Sequence, residues 1–263
     1  MRNDWGHRLR AVAFVALPPL IALIAIFALW ELYISWRDVS ILVLPAPSDA
    51  IQRFFEDPGF YWREAGYTLY EATLGLLLGS AVALACAVLM AHSRVAERTI
   101  FPLAILIKVT PLVAVVPMLV IIFGFGIAPK IIVAGLFSFF PMLVNAMTGF
   151  RDINAQARDF LASLRASTWQ IFWKLRLPGA MPYLFAGLKV AYPLALTGAV
   201  VAEYFTGDRG LGVTIFRANA NLNTPTLFAA CGVLAISGVA INVFISVIER
   251  RVLFWHESVR STD

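Results

Sequence analysis

Few residues in this chain of 263 residues have types and spacing that could carry chemistry. No Gly-x-x-x-x-Gly-Lys-Ser/Thr run occurs, so the sequence offers no P-loop that would bind ATP. No cluster of Cys and His has the spacing of metal ligands. No nucleophile stands in a pattern with a base, and no His, Asp and Glu residues gather as an integral-membrane enzyme would need. We therefore expect no catalytic residue, no bound metal and no cofactor held by this chain.

Four ionisable residues lie inside long apolar segments, where charged groups are costly and usually functional. Glu71 and Glu203 fall near the predicted outer ends of their segments. Lys108 and Lys189 fall nearer the inner halves, where each side chain could extend to the membrane interface. For Glu203 we expect a role in a cavity or gate, and an ion pair with Arg209 at the helix end is the alternative.

Prolines and hydrogen-bonding side chains share the same segments. Pro111 and Pro117 are expected to break the third segment, and Pro193 to interrupt the fifth. Broken backbone at membrane depth is tolerated where it lines a cavity, so these segments are candidates for a solute pathway. Helix packing is the alternative role for the same polar residues. The predicted pathway residues are Thr110, Asn145, Tyr192, Thr197 and Glu203.

The composition requires an apolar solvent around these segments. Hydrophobic residues make up 60% of the chain and charged residues 14%, whereas a soluble domain carries roughly 45–50% apolar and about 25% charged residues. A membrane helix needs about 20 mostly apolar residues, and continuous apolar runs exclude barrel strands. The sequence therefore predicts an all-α polytopic membrane protein with one transmembrane domain over residues 1–263. The six predicted spans are residues 11–30, 67–91, 100–125, 131–150, 182–205 and 227–248.

The basic residues indicate the orientation of these spans. With the N-terminus in the cytoplasm, the inside segments hold thirteen Lys and Arg residues and the outside segments hold six. Positive residues favour the cytoplasmic side, so both termini are predicted to be cytoplasmic. We therefore attribute the net charge of +5 to the basic residues that orient the spans in the membrane. No nucleic-acid partner is predicted from it.

The predicted cytoplasmic loop, residues 151–181, has helical character of its own. Residues 155–175 lack Gly and Pro, and their apolar residues recur at helical spacing. Two helices with a turn near residues 165–167 are expected, and Pro178 and Pro182 should end the run. Its apolar face could lie on lipid headgroups or dock into a groove of a partner protein.

This loop resembles the EAA loop of bacterial ABC-importer permeases, which reads Glu-Ala-Ala, three residues, Gly, nine residues, then Ile-x-Leu-Pro. Here residues 159–161 read Asp-Phe-Leu, Arg165 stands at the Gly position, and residues 175–178 read Leu-Arg-Leu-Pro. Every spacing is kept while several residue types differ. Arg165 carries a steric cost if that position requires a positive φ.

The resemblance extends from about residue 40 onward. Similar runs are Leu-Pro-Ala-Pro at 44–47, Phe-Gly-Phe-Gly at 123–126, residues 177–189, Ala-Glu at 202–203 and Gly-Leu-Gly at 210–212. The residues of these runs are most similar to those of the branch that serves nitrate, sulfonate, taurine, thiamine-precursor and riboflavin uptake. Within that branch, the Pro-Tyr-Leu-Phe-Ala-Gly-Leu-Lys run is most similar to the thiamine-precursor and riboflavin side.

The resemblance implies the permease subunit of an importer in the bacterial inner membrane, with the type I core. Two permease copies, identical or paralogous, would form the pathway in the lipid bilayer, and separate ATPase subunits would hold ATP and Mg. An extracytoplasmic binding protein would deliver a small polar solute. The alternative is a self-contained secondary transporter or channel, which would need deep carboxylates and an internal repeat of spans.

The loop is then expected to contact the ATPase. Phe160, Leu164, Trp169 and Phe172 are predicted to be the apolar docking contacts, and Arg165 and Lys174 to pair with acidic groups of the ATPase. The full set of predicted coupling residues is Asp159, Phe160, Leu164, Arg165, Trp169, Phe172, Lys174 and Pro178.

Overall fold

A computed structural model describes residues 4–254 of the chain, with side chains described from residue 17. The regular elements of this part are helical, as predicted, and they include one π-helical turn at Phe172–Arg176. The α-helices are α1 Asp4–Arg37, α2 Pro47–Glu56, α3 Pro58–His92, α4 Arg94–Val109, α5 Leu112–Phe123, α6 Ile127–Arg151, α7 Ala155–Ser163, α8 Thr168–Ile171, α9 Leu177–Thr206, α10 Leu211–Ala220 and α11 Thr224–Val252.

Five helical stretches among these are long and apolar enough to cross a membrane. They lie in α1, α3, α6, the joined stretch Thr168–Thr206, and α11. The pair α4 and α5 passes the same test together, but the two helices are bent by 95° at their break. The prediction of six spans is met when this bent pair counts as one span.

The prolines act differently from expectation at two of three positions. Pro111 lies in the break between α4 and α5, but Pro117 and Pro193 lie inside α5 and α9, which continue through them. A proline has no N–H for the carbonyl four residues earlier, which for Pro193 is the carbonyl of Lys189. Asn242 Nδ2 donates to that carbonyl at 3.3 Å, so a side chain of α11 replaces the missing donor.

The chain forms two compact units, of which the first comprises Met1–Pro58 and Ile215–Cys231. Within it, the backbone N–H and hydroxyl of Ser48 donate to the Glu31 carboxylate at 3.2 and 2.7 Å. The Trp30 and Phe228 rings lie with their centroids 5.4 Å apart. These contacts join α1, α2 and the start of α11. That residues 1–263 act as one permease domain stays a prediction.

The second unit, Gly59–Thr214 and Gly232–Asp263, has α6 packed against α3 and α9. A Cβ at Gly75 would lie 2.3 Å from Ala134 Cβ, and one at Gly79 would lie 2.3 Å from the carbonyl oxygen of Gly135. Small residues allow membrane helices to approach this closely. The Gly-x-x-x-Gly pattern on α3 is therefore a packing contact within the subunit.

Candidate functional site

The loop between α6 and α9 contains the two helices predicted from the sequence. Asn154 caps α7, where the Ala157 N–H donates to its side-chain oxygen at 3.0 Å. Ser167 and Gln170 form a capping box at α8, because each side chain accepts from the other's backbone N–H at 3.2 and 2.7 Å. Such caps satisfy N–H groups that a helix leaves without partners.

Arg165 lies in the turn between α7 and α8 with φ of +56°. Its backbone N–H donates to the Ala162 carbonyl at 2.9 Å, which closes the turn. A side chain with a β-carbon is strained in this left-handed region by roughly 1–2 kcal/mol. The position therefore favours glycine, and the steric cost expected for Arg165 is present.

The predicted end of the loop helix at Pro178 and Pro182 is wrong. Instead, α8, the π turn and α9 join in one helical stretch, Thr168–Thr206. The Leu177 N–H bonds to the Phe172 carbonyl, five residues earlier, so the π turn absorbs one extra residue. Pro178 then falls in the first turn of α9, where a missing N–H is tolerated.

The predicted docking residues divide into exposed and buried members. Phe160 and Leu164 are each 64% exposed and Trp169 is 57% exposed, whereas Phe172 is 3% exposed. Phe172 therefore lies in the chain's own core and offers no surface to a partner, which corrects its expected place. The other predicted coupling residues, Asp159, Arg165, Lys174 and Pro178, are exposed.

Phe172 instead attaches the loop to the membrane helices. Its ring centroid lies 5.4 Å from that of Phe150 at the end of α6 and 5.5 Å from that of His92 at the end of α3. The Trp169 ring lies 5.7 Å from Phe172 and 5.6 Å from His92. Aromatic pairs at these distances and tilts are favourable. Trp169 thus has one side against this cluster and the other exposed.

The predicted pathway residues do not form one lining within the chain. Thr110 and Thr197 are exposed, and their hydroxyls donate to carbonyls of their own helices at 2.7 and 2.9 Å. Asn145 is half-buried and donates to the Pro141 carbonyl at 2.8 Å. Tyr192 is 1% exposed and packs in the core, and it shares a helix face with Glu203 because eleven residues make about three turns.

Glu203 lies in a buried polar cluster at the end of the second unit opposite the loop. Its carboxylate accepts from the Thr68 hydroxyl at 2.7 Å and from the Gly212 N–H at 2.5 Å. The Thr68 oxygen in turn accepts from the Leu211 N–H at 2.8 Å. The alternative of an ion pair with Arg209 is wrong, because that side chain lies over the Tyr67 ring.

Lys130 belongs to the same cluster and lies directly before the predicted fourth span. It is 1% exposed, and its Nζ lies 2.9 Å from Glu71 Oε1. Nζ also donates to the Arg209 carbonyl at 3.1 Å. Buried charges are tolerated only when they are paired and hydrogen-bonded, and the Lys130 ammonium meets this condition through Glu71 Oε1 and the Arg209 carbonyl.

Glycines bring the segment after α9 close to Glu203. A Cβ at Gly210 would lie 2.1 Å from Glu203 Oε1, and one at Gly212 would lie 2.6 Å from Oε2. Gly210 also has φ of +115°, and its N–H donates to Glu64 at 2.8 Å. The Gly-Leu-Gly run of the sequence is therefore required by the approach of this backbone to the carboxylate.

Lys108 and Lys189 have partners that the sequence analysis did not predict. Lys108 Nζ lies 4.6 Å from the centre of the Phe140 ring, a cation–π distance. Lys189 Nζ lies 2.7 Å from Glu249 Oε2, so α9 and α11 share an ion pair. That the Lys189 side chain extends to the membrane interface stays a prediction, and its partner Glu249 follows directly after the predicted sixth span.

Lys130, Thr68 and Glu64 are members of the buried cluster that were not predicted from the sequence. Glu71 itself indicated that such partners exist, since a carboxylate inside an apolar segment requires a positively charged or hydrogen-bond-donating partner. The partner is separated from Glu71 by 59 positions in the chain, and local patterns do not identify it.

Comparison with known proteins agrees with this architecture. Residues 75–254 match the family described as binding-protein-dependent transport system inner membrane component. A probable ABC transporter permease protein of Haemophilus influenzae is 31% identical, over 83% of this chain and 89% of its own length. The riboflavin transport system permease protein RibX of Chloroflexus aurantiacus is 31% identical, over 93% of this chain and 91% of its own.

A third relative is the formylaminopyrimidine transport permease protein ThiX of Halalkalibacterium halodurans. It is 28% identical, over 93% of this chain and 98% of its own length. The resemblance noted in the sequence is confirmed by these matches. The chain belongs to the binding-protein-dependent inner membrane components and is a permease subunit of an ABC importer.

Proposed function

We propose that this chain forms the pathway for riboflavin or a thiamine precursor and is driven by separate ATPase subunits that bind the loop of residues 151–181. The observation that carries the coupling is the single helical stretch Thr168–Thr206. The solute class is supported by the names of two relatives, RibX and ThiX.

A second solute class has its own support. The putative aliphatic sulfonates transport permease protein SsuC of Bacillus subtilis is 30% identical, over 89% of this chain and 85% of its own length. An alkanesulfonate is anionic, whereas riboflavin is a large flat ring system. Uptake measurements with both solute types therefore separate the two candidates.

The helical stretch connects the loop to the buried polar cluster. From Trp169 to Glu203 it spans about 50 Å at 1.5 Å per residue. A helix without a break transmits a displacement at one end to the other better than two helices joined by a flexible linker. Movement of α8 by a nucleotide-driven partner thus tilts α9 and acts on the Glu203 cluster at its far end.

The orientation follows the distribution of basic residues. We place the loop and both termini in the cytoplasm, and the Glu203 cluster at the outer side where a binding protein delivers its solute. The terminal residues 1–3 and 255–263 lie outside the described residues. ATP and Mg belong to the partner ATPase in this proposal, since this sequence has no P-loop.

A second permease copy completes the pathway. Thr110 lies in the break between α4 and α5, Thr197 lies on α9, and both are exposed, which suits a lining shared between two chains. Large apolar residues of α5 are exposed as well, among them Ile121 at 84% and Ile122 at 68%. Lipid and the second copy together cover these faces.

The test is reconstitution of the chain with its ATPase and binding protein in liposomes. We expect uptake of riboflavin or formylaminopyrimidine to require ATP. Changing Phe160→Ala together with Trp169→Ala should preserve ATP hydrolysis but reduce uptake at least tenfold, because the two exposed aromatic docking side chains are lost. Trp36→Ala, at a residue 79% exposed in the first unit, is the matched control and should transport normally.

Uptake by the chain alone, driven by an ion gradient without nucleotide, would contradict the proposal and favour the secondary transporter. Normal uptake by the double variant would contradict the docking assignment while leaving the solute assignment standing.

A further inference from the structure

A cavity of about 710 Å³ opens in the second unit beside the loop that we assign to the ATPase. Its volume falls within the roughly 300–1,000 Å³ of small-molecule sites. The wall combines the end of α3, the start of α4, the end of α6, the start of α7 and the π turn. The cavity is lined by five arginines: Arg94, Arg98, Arg151, Arg158 and Arg176.

The positive charge of this cavity is poorly neutralised by the protein. Glu97 is the acidic residue of the lining, and its carboxylate lies 2.5 Å from Arg151. Arg94, Arg98 and Arg158 have no ion pair with any residue between positions 17 and 254. Guanidinium groups that line one space repel each other, and an anion bound in that space relieves the repulsion.

Backbone groups add to this positive field. The helix α4 begins at Arg94 in the cavity wall, and Ser93 caps it by accepting from the Ala96 N–H at 3.2 Å. The first turn of a helix carries partial positive charge. Arg176 is held by its bond to the Ala91 carbonyl at 3.1 Å, which fixes one guanidinium at the cavity.

We propose that this cavity binds a phosphate-bearing anion, either the headgroup of an anionic phospholipid or a soluble phosphate ester. Arginine is suited to phosphate because its planar fork donates two parallel hydrogen bonds to two oxygens. Basic pockets between membrane helices on the cytoplasmic side take anionic headgroups. The assignment to a lipid headgroup rests on the orientation proposed above. Binding of an anion as such depends only on the residues of the cavity.

Occupancy of the cavity has a consequence for the loop. Arg158 is on α7 and Arg94 is at the start of α4, so an anion between them joins the loop to the membrane helices. His92 also lines the cavity, and its ring centroid lies 5.6 Å from that of Trp169 of α8. A bound phosphate thus holds the loop in the position from which α8 presents Trp169.

The experiment measures binding to the full-length chain in detergent by native mass spectrometry and thermal shift. The probes are dioctanoyl phosphatidylglycerol, dioctanoyl phosphatidylcholine and inorganic phosphate. We expect one tightly bound phosphatidylglycerol or phosphate per chain. Arg94→Gln with Arg158→Gln should weaken binding about thirtyfold, since each arginine near an anionic headgroup contributes about a factor of five.

The matched control is Arg250→Gln with Arg251→Gln, which removes the same charge at the predicted cytoplasmic end of α11. Neither of these two arginines lines the cavity. This control should change binding less than twofold. If the first double variant unfolds, Arg98→Gln, at an exposed arginine of the lining, should still weaken binding about fivefold.

The two sources give different patterns. Retention of phosphatidylglycerol with no competition by millimolar phosphate assigns the site to lipid, and saturable competition by phosphate assigns it to a soluble ester. Failure of both anions to bind, or equal weakening by both double variants, overturns the proposal. So does a cavity variant that binds the anions normally but loses the ATPase, since the cavity is then a protein interface.

Discussion

Lys130 Nζ lies 2.9 Å from Glu71 Oε1, with 2% and 5% of the two side chains exposed. The pair joins the start of α6 to α3, and the second bond of Lys130 to the Arg209 carbonyl extends it to the segment after α9. Three parts of the second unit are therefore held at one point by a single ammonium group.

Removal of one partner should be costly. Lys130→Met leaves the Glu71 carboxylate buried without its cation, and we expect a loss of about 3–5 kcal/mol of stability. Lys130→Met combined with Glu71→Leu should recover most of it, because no uncompensated charge remains. Unfolding in detergent measured for both single variants and the double variant checks this, and additive losses would contradict it.

Gly212→Ala tests the approach of the backbone to Glu203. The new Cβ would lie 2.6 Å from both Glu203 Oε2 and the Val200 carbonyl oxygen. We expect a loss of about 1–3 kcal/mol through overpacking, measured as a lower melting temperature. Gly232→Ala is the control, because no atom lies within 4 Å of its Cβ position. An unchanged melting temperature for Gly212→Ala would mean that the segment can move away without cost.

Arg165→Gly should stabilise the turn between α7 and α8 by about 1 kcal/mol, because glycine adopts its φ of +56° without strain. Slower amide hydrogen exchange at residues 164–167 is the measurement. Arg165→Ala removes the same charge but keeps the β-carbon, so it should show no such gain. Equal protection in both variants would assign the effect to charge instead of backbone conformation.

Asn242→Leu tests whether the Asn242 side chain replaces the hydrogen-bond donor that Pro193 lacks in α9. The variant leaves the Lys189 carbonyl without its donor, and we expect a cost of about 1–3 kcal/mol. In a Pro193→Ala background the restored N–H supplies the bond, so the same change should cost little. A double-mutant cycle on melting free energies checks this, and a coupling near zero would rule it out.

Phe172→Ala should destabilise the chain by about 3–5 kcal/mol, since the ring is buried between α3, α6 and the loop. Trp173→Ala removes a neighbouring aromatic that is 60% exposed, and it should cost far less. Thermal unfolding of the two variants compares them directly. Similar melting temperatures would place Phe172 outside the core.

The sequence by itself determined the membrane class, the positions of the apolar segments and the two short helices of the loop. These features depend on residues close together in the chain: apolar runs of about 20 residues, helical periodicity, and caps such as Asn154 and Ser167. The Gly position of the loop motif also predicted where backbone strain falls, and Arg165 has the positive φ.

The tertiary structure alone decided which buried groups meet. Lys130 is separated from Glu71 by 59 positions, and Asn242 from Lys189 by 53. The resemblance placed Phe172 on a partner-facing surface, and proline chemistry predicted a helix end at Pro178 and an interruption at Pro193. The expectation for Pro178 failed for a local reason, because the π turn and the first-turn position of the proline let the helix continue. The other two failed because an aromatic ring or an unpaired carbonyl is stabilised by whatever packing brings beside it, and that neighbour comes from a distant segment.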